Sequence, residues 1–168
     1  DGRIQVTGFH IAGELMGLNS LVADRYNSEA RALETTSVCE VPFERYEELV
    51  DHVPGLQHQM LKIMSQEINH HQEMMLLLGK KRAEERLASF LVNLSRRLEC
   101  HGQPATELKL SMSRSDIGNY LGLAEETVCR VISRFEDESL ISTQRRIVRL
   151  KQPDRLRIIS RGGSASLK

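Results

Sequence analysis

The chain has 168 residues, enough for one medium domain or two small ones, and its 23 basic and 23 acidic side chains give a formal net charge of zero. That balance hides a polarity, because residues 1–80 carry 6 basic and 12 acidic side chains whereas residues 81–168 carry 17 and 11. Three widely spaced cysteines exclude a disulfide framework, and no apolar run approaches the roughly 20 residues of a membrane span. A basic C-terminal half on an acidic N-terminal half is the pattern of a nucleic-acid reader joined to a sensor or interaction part. No signal peptide opens the chain, so a cytoplasmic location and no membrane partner are expected. Asp1 is not an initiator methionine and leads straight into strand-like sequence, as expected of a fragment lacking its natural N-terminus.

Residues 3–41 read as strand-rich. Ile4, Val6 and Phe9 alternate, Gly13, Gly17 and Asn19 mark turns, and residues 30–34 and 37–41 are further strand candidates before Pro42. These strands are too few to close a barrel or to cover both faces of a sheet. Residues 43–50 form a short acidic helix that Pro54-Gly55 breaks. A long helix follows over residues 56–78, with two apolar stripes. Leu61, Met64, Ile68, Met75 and Leu78 step by threes and fours, with His71 filling the gap in the series, which is the spacing of a coiled-coil seam. Met60, Ile63, Met74 and Leu77 form the second stripe. A helix apolar on two sides must be covered on both, so one face is assigned to the chain's own sensor part and the other to a second copy. His70, His71 and Glu73 do not suit a metal, because neighbouring helical side chains diverge.

Residues 79–82 are a basic hinge at the expected domain boundary. Residues 83–100 form another amphipathic helix, with Leu87, Phe90, Leu91, Leu94 and Leu98 inward. Residues 101–105 form a loop, and Leu108 and Leu110 begin a short strand. Residues 112–141 then read as two helices joined by a tight turn. Ser113 is the N-cap of the first, Asp116 sits in its first turn, and Ile117, Tyr120 and Leu121 recur at helical spacing. Gly122 supplies the turn and Leu123 plugs the corner. The second helix, residues 125–138, buries Val128, Val131, Ile132 and Phe135 and leaves Glu126, Thr127, Cys129, Arg130 and Arg134 on its other faces. This is a helix-turn-helix with a recognition helix for the major groove. Arg130 can offer guanine a bidentate donor pair, and Glu126 can accept from a cytosine amino group. Residues 140–142 and 146–150 are two short strands around Thr143-Gln144-Arg145, the wing of a winged helix. Residues beyond Pro153 have no clear pattern, and residues 162–168 read as a mobile tail. No nucleophile–base constellation, phosphate loop or metal-spaced ligand set points to an enzyme.

Glu126-Thr127-Val128-Cys129-Arg130, an E-T-[VI]-x-R run, and the GNYLGL stretch at residues 118–123 carry a family resemblance. The segment resembles the helix-turn-helix of the cyclic-AMP receptor protein/fumarate–nitrate reduction regulator (CRP/FNR) superfamily, and the FNR branch in particular. The resemblance implies an α+β chain made of the C-terminal part of a β-roll, cyclic-nucleotide-binding-like sensor domain (residues 1–55), a long dimerisation helix (56–79) and a winged helix-turn-helix DNA-binding domain (80–168). It implies a homodimer across Leu61, Met64, Ile68, His71, Met75 and Leu78. Glu126, Cys129 and Arg130 are its base readers, and Ser113, Arg114, Thr127 and Arg134 its backbone contacts. The partners it implies are double-stranded DNA, with a half-site like TTGAT, and RNA polymerase.

In context, LETTSVCEVPF, Cys39 resembles the internal cysteine ligand of the 4Fe-4S cluster in FNR-type oxygen sensors. The other three ligands of that family lie in an N-terminal cysteine cluster absent from this chain. A cluster is therefore expected in the full-length protein and not in this piece. Glu29-Ala30 stands where cyclic-AMP-binding members have the Arg-Ser pair that grips phosphate, and a carboxylate there repels one. The function implied is an oxygen- or redox-responsive regulator, with a CRP/FNR regulator gated by haem, nucleotide or another small molecule as the alternative. Two residues depart from the FNR pattern. Cys129 replaces a serine, a weaker hydrogen-bonding substitute, and Ala124 occupies the recognition-helix N-cap without a side-chain acceptor.

Overall fold

A computed structural model describes residues 4–21 and 25–163. The chain divides into two compact units, Leu15–Met75 and a second made of Asp1–Glu14 with Leu76–Lys168. We call the first the arm and the second the head. Among the described residues the chain is α+β, with six α-helices and one three-stranded antiparallel sheet.

The arm contains helix α1, Phe43–Val50, and most of helix α2, Leu56–Lys80. The short acidic helix and the start of the long helix therefore form where hydropathy and the Pro54-Gly55 break place them, while the long helix runs on to Lys80 and takes in Gly79 and Lys80 of the expected hinge. The strands expected within residues 3–41 do not form. Among the described residues this stretch is irregular chain with a hydrogen-bonded turn at Ile11–Glu14, a 3-10 turn at Leu18–Ser20, and no ladder. The physical reason lies in what surrounds it. Alternating apolar residues say which side chains would share a face, but a strand also needs neighbours and a surface to bury that face against. No described side chain of the arm is fully buried, and Val38, Val41, Phe43, Leu61, Ile68 and Met75 are among the large apolar groups left exposed.

The head holds the core. Its elements are helix α3 (Ala83–Cys100), strand β1 (Glu107–Lys109), helices α4 (Arg114–Leu121) and α5 (Glu125–Asp137), strands β2 (Ile141–Gln144) and β3 (Ile147–Leu150), and helix α6 (Pro153–Ser160). The sheet order is β1-β3-β2, with Leu108 opposite Val148 and Ile141 opposite Leu150. These four side chains are buried, and they close over Leu87, Leu91, Leu94, Ile117, Leu121, Val128 and Phe135 from the helices. Each such side chain contributes about 1.5–3 kcal/mol by leaving water. The expected inward faces of α3 and α5 are thus the observed ones. The last helix, α6, was not legible as a pattern. It begins with proline in its first turn, has Asp154 beside that turn, and buries Leu156 and Ile159, three residues apart. Residues 164–168 of the expected tail lie outside the described residues.

Residues 4–14, read in the sequence with the sensor part, lie on the head. Phe9 meets Phe90 and Tyr120 with ring centroids 6.0 and 5.2 Å apart. Asn119 of α4 donates to the Ile4 carbonyl at 2.8 Å, and its own carbonyl accepts from Gln5 at 2.7 Å. Glu14 pairs with Arg97 of α3, whose guanidinium also donates to the Phe9 carbonyl. Burial alone would raise the Glu14 pKa. The Arg97 guanidinium and the Ile11 amide, with His10 adding to them, more than offset this and hold it below the ordinary 4.5. A depressed carboxylate pKa stabilises the fold above the unfolded value and loses that contribution as pH falls through the folded one. Head stability is therefore expected to drop below about pH 4.5 more steeply in the parent than in Glu14→Gln; thermal melts of both across that range are the check.

Candidate nucleic-acid interface

The geometry of the interface begins with two caps on α4. Ser113 Oγ accepts from the Asp116 amide at 3.0 Å, and the Asp116 carboxylate accepts from the Ser113 amide at 2.9 Å. This reciprocal box fixes where α4 starts, as the serine and aspartate spacing implied. At the other end Gly122 takes φ 62°, the Leu123 amide donates to the Gly118 carbonyl at 2.8 Å, and the Gly122 amide donates to Asn119 at 3.4 Å. That pair of bonds is a Schellman closure, which turns the chain into α5 within three residues.

Gly118 is a requirement the sequence reading passed over. A Cβ on it would lie 2.6 Å from the Leu123 carbonyl oxygen, a backbone atom that cannot step aside without opening the turn. Gly118→Ala is expected to destabilise the head by about 1–3 kcal/mol, the range for overpacking a tight site. A denaturant midpoint equal to the parent's would contradict this.

Helix α5 has no side-chain N-cap at Ala124, as the sequence implies, while Glu125 and Glu126 occupy its first turn. Val128, Val131, Ile132 and Phe135 are buried against the head. Glu126, Cys129 and Arg130 are exposed, and three- and four-residue spacing puts them on one face of the helix. Thr127 is half-buried. Arg134 is exposed but engaged: it donates to Glu138 at 2.9 Å and to Glu84 of α3 at 3.1 Å. The hydrogen bond it donates to Glu138 leads the causes that raise its pKa. Its carboxylate partners compete with any phosphate, so Arg134 acts here first as a tie between α3 and α5.

Strands β2 and β3 are joined by the two residues Arg145 and Arg146, with Gln144 opposite Ile147 and Arg145 at φ 56°. This wing turn begins two residues later and ends one residue later than the Thr143-Gln144-Arg145 turn expected from the sequence. Thr143 belongs to β2 and is pinned by Glu136 of α5, which accepts from its amide at 2.8 Å and its hydroxyl at 2.6 Å. The two wing arginines line a concavity of about 170 Å³ with Leu110, Met112, Ser113 and Arg114. Three arginines and the N-terminal turn of α4, whose dipole favours anions, thus share one notch. Arg146 was not among the sequence candidates; the adjacent arginine pair between two strand-like runs was the available signal.

The seam residues Leu61, Met64, Ile68, His71, Met75 and Leu78 are all exposed, whereas on the second stripe Leu77 is buried and Met60, Ile63 and Met74 are half-buried. Cys39, Cys100 and Cys129 are exposed free thiols. Among the described residues no group of three or more histidine, cysteine or acidic side chains is gathered around a metal position. A cubane cluster takes four thiolates, so the residues of this chain do not fit one. Among the described residues no helix is long and apolar enough to cross a membrane.

An exposed, polar second helix behind a capped first helix, flanked by a β-wing, defines the class of winged helix-turn-helix proteins. Residues 85–159 match the family described as the Crp-like helix-turn-helix domain. The chain is 50% identical over 163 residues to the transcriptional activator protein Anr of Pseudomonas protegens, covering 97% of this chain and 66% of that one. It is 45% identical over 155 residues to the fumarate and nitrate reduction regulatory protein of Escherichia coli K12, covering 92% and 62%. Among solved structures, FixK2 from Bradyrhizobium japonicum is similar with a TM-score of 0.61 at 32% identity, covering 73% of this chain and 59% of that one. The chain belongs to the CRP/FNR family and is of the FNR type. It spans about two thirds or less of the length of these relatives.

Proposed function

We propose that this chain is the DNA-reading and dimerising part of an oxygen- or redox-responsive transcription regulator, acting as a homodimer on a palindromic site. The observation that carries the reading is the face of α5 that leaves Glu126, Cys129 and Arg130 in solvent while the opposite face is buried in the head. Arg130 reads a guanine edge and Glu126 a cytosine amino group, with Cys129 beside them. Arg114 grips phosphate at the notch, where Ser113 joins it only by releasing the amide or hydroxyl it donates to Asp116 at 2.9 and 2.7 Å, and Thr127 and Arg134 lie along the same backbone path; these contacts position without specifying. The arm supplies the second half of the device, with Leu61, Met64, Ile68, His71, Met75 and Leu78 meeting their copies in a partner chain. The layout is a partial sensor domain over residues 1–55, a dimerisation helix over 56–79 and a DNA-binding domain over 80–168.

RNA polymerase is the proposed protein partner. Cys39 enters the redox response only as one thiolate of a cluster completed by cysteines of a longer polypeptide. The test is binding of the 168-residue chain to a duplex with two inverted TTGAT half-sites and to a scrambled duplex across a salt series. Expected is a steep loss of affinity with salt on both duplexes, from phosphate contacts, together with a salt-insensitive preference for the palindrome. Equal affinity for the two duplexes would overturn the proposal.

A further inference from the structure

We infer that Arg86 is a positioning residue that sets the register between the two reading heads by clamping the end of the dimerisation helix to the turn of the helix-turn-helix; this rests on the proposed palindrome-binding function. The guanidinium of Arg86, on the first turns of α3, makes four hydrogen bonds, all to backbone carbonyls. Nη2 donates to Leu78 at 2.9 Å and Nε to Lys81 at 2.9 Å, at the end of α2 and just past it. Nη1 donates to Leu121 at 2.9 Å and to Gly122 at 3.3 Å, at the end of α4.

Each helix leaves its last carbonyls without intrahelical partners and with partial negative charge. One planar cation with donors fanned across its edge therefore caps two helices at once, which a lysine ammonium, a compact point donor, cannot reproduce. A second contact runs along the same line. A Cβ on Gly122 would lie 3.3 Å from Leu78 Cδ2 and 3.3 Å from Arg86 Nη1, so the end of α2 rests directly against the bend between α4 and α5. Residues 76–80 belong to the head, and Leu78 is also the last residue of the proposed seam. The bend that aims α5 and the helix that pairs the protomers are thus fastened at one side chain.

The consequence is specific to paired reading. Within one head, Arg86 touches none of the residues proposed to meet bases. Between two heads, a loosened joint lets each recognition helix find its half-site at several separations. The experiment uses the whole chain and its Arg86→Lys and Arg86→Gln variants, with three probes: a single TTGAT half-site duplex, the palindrome at the separation the parent prefers, and palindromes with the half-sites one base pair closer or farther apart.

Expected is single-site affinity within about twofold of the parent, together with at least a fivefold loss of the preference for the favoured separation in both variants, the lower end of typical coupling between sites. Retained separation preference in Arg86→Gln overturns the inference. So does a parallel fall of single-site affinity and helical circular dichroism in both variants, because Arg86 would then merely stabilise the head. A parent chain that ignores the half-site sequence altogether fails the proposed function instead, and that failure is read on the first probe before any variant is compared.

Discussion

Arg130→Ala is expected to erase the preference for the palindrome while leaving weak, salt-dependent binding in place. The arginine is exposed on α5, one turn beyond Glu126, and its planar fork matches the two acceptors of a guanine edge. A bidentate pair of this kind discriminates by about 1–3 kcal/mol against a wrong base, and a two-fold complex loses two of them. The combined effect is a loss of roughly 30- to 10⁴-fold in specific affinity. The notch formed by Ser113, Arg114, Arg145 and Arg146 is untouched by the change, so the slope of affinity against salt should stay that of the parent. Fluorescence anisotropy on palindromic and scrambled duplexes separates the two quantities. A variant that still prefers the palindrome would remove Arg130 from the reading face.

Ile68→Glu should break the pairing of protomers and, with it, binding to two half-sites at once. Ile68 is 58% exposed in the single chain and lies near the middle of the seam, between Met64 and His71. Covering an isoleucine is worth about 1.5–3 kcal/mol, and a two-fold axis counts each substitution twice. Burying two carboxylates in place of two isoleucines adds desolvation and like-charge repulsion. Dimer affinity should fall by at least about 100-fold, since the lower bound of about 3 kcal/mol already exceeds two factors of ten. Sedimentation velocity at micromolar chain reads this directly. The head should keep its fold, because Ile68 contributes nothing to the core around Leu87, Ile117 and Phe135. An unchanged dimer would move the interface to another face of α2.

The parts of this fold that the sequence disclosed are those whose determinants are local. Ser113 and Asp116 announce the start of α4 within four residues, Gly122 announces its end, and the buried face of α5 repeats at helical spacing. The exposed face of α5, with Glu126, Cys129 and Arg130, was legible for the same reason: it is not apolar on a helix whose other face is. Misreadings arose where the outcome depends on something distant. Residues 30–41 alternate well enough for strands, yet alternation carries no information about whether a neighbouring strand exists. Helix α6 is short, and only Leu156 and Ile159 are buried in it, too brief a series to register as a period. Ser139 takes φ 53° after α5 with the Leu140 amide bonded back to Phe135, a closure for which glycine is the usual marker and here is absent. The clamp at Arg86 was invisible, because its partners are carbonyls up to 36 residues away and every residue has a carbonyl.

The arm, without a single fully buried side chain among its described residues, has a thermodynamic meaning of its own. A segment with no interior derives its order from whatever covers it, so its melting should be a mass-action event rather than an intrinsic one. The head, with its own core, should unfold as a separate cooperative block. Calorimetry of the chain at increasing dilution should then resolve two heat-absorption peaks, a lower one that slides down with dilution and an upper one that stays where it is.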